Sequence, residues 1–211
     1  MSRNLAESLR EATWPQHRNV ERSPFVQALL RGELDRKAYC LMLRSLREIY
    51  AALERNLALQ SEHRALAPVD PARLFRCEAL EEDLAYLHGP RWQDDLAPRS
   101  AALQYANRLD EISRERPELL LAHAYVRYLG DLSGGQALKH VVARSLALPE
   151  GEGTRFYEFG DAASLARDFR AGLGAVADET ARHADLVDEA CAAFDLHGRL
   201  FDELESCVPS A

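Results

Sequence analysis

The chain has 211 residues, 47% of them apolar, which is enough for one domain with a substantial core. With 34 acidic against 26 basic residues the formal charge is −8, which argues against a nucleic-acid-binding surface. Cys40, Cys77, Cys191 and Cys207 form no CxxC pair, and there is neither an N-terminal apolar leader nor a run of about 18 apolar residues. Reduced thiols in a cytoplasmic protein with no membrane span are expected.

In chain order, apolar residues recur at helical spacing over residues 4–30, interrupted by Pro15, and this segment ends at Arg31-Gly32. Pro15 predicts a helix start or kink near Thr13. Asp35 is placed to cap a second helix carrying Tyr39, Leu43, Leu46, Tyr50, Leu53 and Leu57. Residues 61–70 read as a polar connection. Asp70-Pro71, a capping side chain followed by proline, predicts a helix running to Leu87, broken at most once, and stopped by Gly89-Pro90. Another helix is expected over residues 99–114, and Pro117 opens the next. Residues 149–153 read as a loop, Asp161 as the cap of a helix reaching about Val176, and residues 178–204 as the last helix. No alternating strand pattern, repeat, low-complexity segment or interior linker appears. The expected fold is all-α, one multi-helix domain over residues 1–211.

Residues 122–140, AHAYVRYLGDLSGGQALKH, contain no proline yet hold Gly130, Gly134 and Gly135 inside a helix. Each glycine weakens a helix interior by about 1 kcal/mol relative to alanine. At about 100° per residue, Arg127, Gly130, Asp131, Gly134 and Leu138 share one stripe. Tyr125, Tyr128, Leu129 and Leu132 fall on another face that reads as core. Glycines in helices commonly permit close helix contact or mark a kink. Bare backbone flanked by one arginine and one aspartate also suits the approach of something flat. Spacing alone leans slightly toward helix packing.

The run YLGDLSGGQ, with HAY before it and LK after it, resembles the signature segment of the heme oxygenases. The similarity extends to NLAESLREAT, ALEEDLAYLHGPRW and AAFDLHGRLFDEL, so the chain is identified as a member of that family. The resemblance implies a helical bundle that holds heme b between its first helix and a glycine-kinked distal helix. Among seven histidines, spacing singles out none; the family's proximal iron ligand lies in the segment that here reads EATWPQHRNVE, which assigns His17. Arg10, Thr13, Trp14, His17 and Glu21 share one face by helical spacing. Glu21 reads equally as a group steadying the ring's free nitrogen or as a solvated charge. Arg10 and Arg170 match basic residues that meet the heme propionates, with Tyr125 as a hydroxyl partner. Two further basic positions of mammalian members are Trp14 and Ala166 here, which bears on the seating of the ring. Val26, Leu29, Leu138, Phe194 and Phe201 are the expected apolar wall.

The activity this implies is oxidative opening of heme, at once cofactor and substrate, to biliverdin with release of CO and ferrous iron. Gly130 and Gly134 then present only backbone to the face where O2 binds. Asp131, with Tyr50 and Arg127, holds the water network that serves a ferric hydroperoxide as it attacks a meso carbon. His197 stands where the family often has asparagine, and a titratable ring there predicts a pH dependence. Electrons must come from outside, from a ferredoxin, flavodoxin or flavin reductase, because the sequence has no nucleotide-binding fingerprint and no iron–sulfur cysteine set. Some members carry a C-terminal membrane anchor; this chain ends at Ser210-Ala211 without one, and a soluble monomer is expected. Three readings compete. A heme-binding chaperone or sensor of the same fold would not require the GD..GG arrangement. A di-iron oxidase needs Glu-x-x-His pairs that the sequence lacks. A thiamine-degrading enzyme needs an activated cysteine.

Overall fold

Helix starts follow local capping chemistry. In the computed structural model, which describes residues 4–177 and 181–208, Asn4 Oδ1 accepts from the Ala6 N–H at 3.0 Å to begin α1 (Leu5–Glu21). Ser23 Oγ accepts from the Val26 N–H at 3.4 Å and begins α2 (Pro24–Arg31), which Gly32 closes in the left-handed conformation. Asp35 accepts from the Ala38 N–H at 2.7 Å to begin α3 (Arg36–Leu59). There follow α4 (Cys77–Leu87), α5 (Trp92–Asp95), α6 (Ser100–Glu115), α7 (Leu120–Ser145), α8 (Ala162–Gly174) and α9 (His183–Glu205). Short 3-10 turns stand at Pro71–Leu74, Pro117–Leu119 and Arg155–Tyr157. Among the described residues there is no strand, and no helix is long and apolar enough to cross a membrane.

Several boundaries differ from expectation. Pro15 lies inside α1 without ending it; the break comes instead at Arg22-Ser23, where a capping serine followed by Pro24 is the stronger signal. Asp70-Pro71 starts a 3-10 turn, not an α-helix, and Asp70 makes no capping bond. The α-helix resumes at Cys77, where the buried Glu54 carboxylate accepts the N–H groups of Arg76 and Cys77. The expected final helix starts later, at His183, and residues 178–180 lie outside the described residues. α7 runs unbroken through all three glycines.

α3 packs against α4 and α6, while α9 packs against α1, α6 and α7. α1 and α7 both rest on α8 and α9, which leaves a gap between them. Asp83, fully buried, closes one wall of that gap by accepting the N–H groups of Arg155 and Phe156, both at 2.9 Å. Burial pushes its carboxyl up to about 6, against the pull of those two N–H groups. On α8, a Cβ at Gly172 would stand 2.4 Å from the Pro68 carbonyl oxygen. Gly172→Ala is therefore expected to cost about 1–3 kcal/mol of stability. An unchanged urea midpoint for the ligand-free protein would refute this close approach.

Candidate functional site

The gap between α1 and α7 is a cavity of about 690 Å³, a size suited to a cofactor or small molecule. His17 projects into it from α1. Its ring lies parallel to Trp14, with centroids 6.1 Å apart, and edge-on to Phe194 of α9 at 5.9 Å. His17 Nδ1 is shielded and has no hydrogen-bond partner. Glu21 Oε1 stands 3.6 Å from it, beyond hydrogen-bond length, so Glu21 does not lock the ring in this geometry.

On the facing helix, α7, the glycines divide between two tasks. A Cβ at Gly130 or Gly134 would meet nothing within 4 Å, so both present backbone to open space along the cavity. A Cβ at Gly135 would touch the Tyr157 ring at 3.4 Å, and this glycine serves packing. Tyr125 and Leu129, expected in the core, also line the cavity.

Asp131 sits between the two open glycines and is the end of a polar chain. The Tyr50 hydroxyl, fully buried behind it, donates a short hydrogen bond to Asp131 Oδ2. Arg127 donates through Nε at 3.2 Å and Nη2 at 3.0 Å to the Tyr50 oxygen. Its Nη2 lies 3.8 Å from Asp131 Oδ1, too far for a hydrogen bond. Its Nη1 donates to the His197 ring, whose Nδ1 and Nε2 are 2.8 and 2.9 Å away. Burial pushes the Asp131 carboxyl up to about 6, although Arg127 and Tyr50 pull the other way. Burial, reinforced by the Arg127 charge, holds His197 well below the ordinary histidine range. This corrects the expected pH dependence: His197 stays neutral near pH 7, and within the cavity Asp131 is the carboxylate raised toward it.

At the cavity mouth, burial raises the Tyr125 hydroxyl's pKa, while Thr13, Arg170 and Arg10 draw it down, which places these side chains together. Among the described residues, neither Arg10 nor Arg170 forms an ion pair. Ala166 is buried away from the cavity, whereas Trp14 is 56% exposed beside it, with the Arg18 guanidinium 5.8 Å above its ring. Val26, Leu29, Leu138, Phe194 and Phe201 all line the cavity as expected. Sequence reasoning missed Phe156 and Tyr157, which reach the cavity only because Asp83 pins their turn. No local pattern marks them.

Comparison with known proteins bears on family and fold. The Heme oxygenase family model matches residues 3–203. The chain is 38% identical to heme oxygenase 1 of Nostoc sp. over 208 residues, covering 97% of this chain and 87% of that protein. It is 40% identical to heme oxygenase 1 of Homo sapiens over 213 residues, covering 99% of this chain and 74% of that protein. The crystal structure of heme oxygenase-2 from Synechocystis in complex with heme and NO superposes with a TM-score of 0.93 at 37% identity, covering 98% of this chain and 87% of that one. By sequence and by fold, the chain belongs to the heme oxygenase family of oxygenase enzymes.

Proposed function

We propose that the chain takes up heme between α1 and α7 and, with O2 and electrons from a separate donor, opens it to biliverdin with release of CO and ferrous iron. What carries the reading is the pairing, across one cavity, of an imidazole with a bare strip of helix backbone that has a carboxylate at its centre. The residues present suit heme. The strip at Gly130 and Gly134 leaves space that any side chain would fill, and the wall is apolar. Arg10 and Arg170 stand unpaired among the described residues where two carboxylates would sit. When bound, heme supplies both the iron that activates O2 and the meso carbon that is oxidised.

His17 would hold the iron through its imidazole, a milder donor than a thiolate. Arg10, Arg170 and the Tyr125 hydroxyl, which stand together, would bind the propionates. Gly130 and Gly134 keep side chains out of the cavity along α7, which would leave room for O2. Asp131, ionised above about pH 6, accepts from Tyr50 and orders cavity water that delivers protons. Tyr50 acts by holding Asp131 in place, and Arg127 by holding the Tyr50 hydroxyl. A ferredoxin, flavodoxin or flavin reductase supplies the electrons. The four unpaired thiols suit a reducing compartment such as the cytoplasm, and one copy carries the whole cavity, as a monomer requires.

Titration of the protein with hemin, followed by a reductant in air, tests the reading. One-to-one binding, bleaching of the Soret band and growth of biliverdin absorption are expected. A complex that binds heme and then persists under reduction would identify a carrier or sensor instead, and failure to bind heme would overturn the assignment.

A further inference from the structure

Arg127 is a buried cation, 6% exposed, with five N–H donors and few acceptors within reach. Nε and Nη2 go to Tyr50, and Nη1 goes to His197 on α9. Phe201 packs edge-on against the His197 ring at 4.4 Å and sets its plane. A neutral imidazole offers one lone pair, and here Arg127 Nη1 is the donor facing the ring. Asp131 Oδ1, the nearest carboxylate oxygen to the guanidinium, stays 3.8 Å from Nη2.

We propose that His197 is a positioning residue: by accepting from Arg127 it holds the guanidinium off Asp131 and leaves that carboxylate turned to the cavity. The proposal rests on the functional reading above. Without this acceptor, Nη1 would be a buried donor left without a hydrogen bond, which is costly inside a protein. The shortest repair is to close the gap to Asp131 and form a hydrogen-bonded ion pair. Asp131 would then be committed to Arg127 and withdrawn from the cavity water. The other titratable groups facing Asp131 are Tyr50 on α3, Tyr128 on α7, Tyr157 in the 3-10 turn and Arg76 ahead of α4. Of the two cations, only Arg127 touches His197, so a change at His197 reaches Asp131 through Arg127.

The test uses the heme-free protein with carbon-13-labelled aspartate, the Asp131 carboxyl signal being assigned by its loss in Asp131→Asn. In the wild type this signal should titrate near pH 6. His197→Leu should lower its midpoint by about one pH unit or more, because a closely paired cation favours the carboxylate. His197→Asn, whose side-chain oxygen can accept from Nη1, should keep the midpoint close to the wild-type value. If circular dichroism shows that the leucine variant does not fold, His197→Met takes its place. With heme and a reductant, the apolar variant should yield less biliverdin per electron consumed, and the asparagine variant should restore most of it. A midpoint that does not move in the apolar variant, or that moves equally in both, overturns the proposal. The titration needs no heme, so its failure is distinct from failure of the hemin assay on the wild type.

Discussion

His17→Ala is expected to bind hemin at least about tenfold more weakly, a loss of about 1.4 kcal/mol or more, and to make no biliverdin. The reason lies in the absence of a substitute. His123 is fully buried and hydrogen-bonded on both sides, to Tyr105 and Glu189, each at 3.0 Å. His197 is engaged by Arg127. His63, His88, His140 and His183 do not line the cavity. The variant should fold, because its removed ring is partly exposed and contributes little burial. Added imidazole, small enough for the slot between Trp14 and Phe194, should restore part of the activity. Optical titration and product chromatography check this. An unchanged Soret band with normal turnover would move the ligand elsewhere.

Asp131→Ala is expected to bind hemin normally but to form biliverdin more slowly by a factor on the order of 10², the range of a lost proton-transfer group. Given hydrogen peroxide, it should instead oxidise an added phenol, because the cavity would no longer order the water that directs the reaction onto the ring. Biliverdin formation at the wild-type rate would refute the role of Asp131. The wild type should also lose activity as the pH falls through about 6, where Asp131 takes up a proton, and Asp131→Asn should lack that step. Stability runs the opposite way. The folded-state pKa lies above the unfolded value, so this group's contribution is full below about pH 4 and is lost as the pH rises through about 6. Asp131→Asn should accordingly stabilise the heme-free protein at pH 7.5 by on the order of 2 kcal/mol, read by urea unfolding. A variant less stable than the wild type at that pH would show that the buried carboxylate is not strained.

Helices were legible where a pattern recurs within a few residues. Asp35 and Asp161 cap as their positions predict. Proline was the less reliable guide: Pro15 is absorbed into α1, because one lost N–H is cheaper than breaking a helix that packs along α9 and α8. The Asp70-Pro71 signal failed for a related reason. The helix start was taken over by Glu54, a buried carboxylate on another helix, at Arg76 and Cys77.

The chain's own sequence determined that the protein is helical, that α7 carries a strip of Gly130, Asp131 and Gly134, and, through resemblance, which family the strip belongs to. Helical spacing fixes where a side chain stands around its own axis, and nothing more is needed for these. The tertiary structure decided which neighbour each face meets. It separated Gly135, spent on Tyr157, from the two glycines that open on the cavity. It joined Tyr50 to Asp131 across 81 residues and Arg127 to His197 across 70. It also moved the titrating group from a histidine to an aspartate, because charge state depends on burial and on the sign of the nearest partner, and both are set by helices distant in the chain.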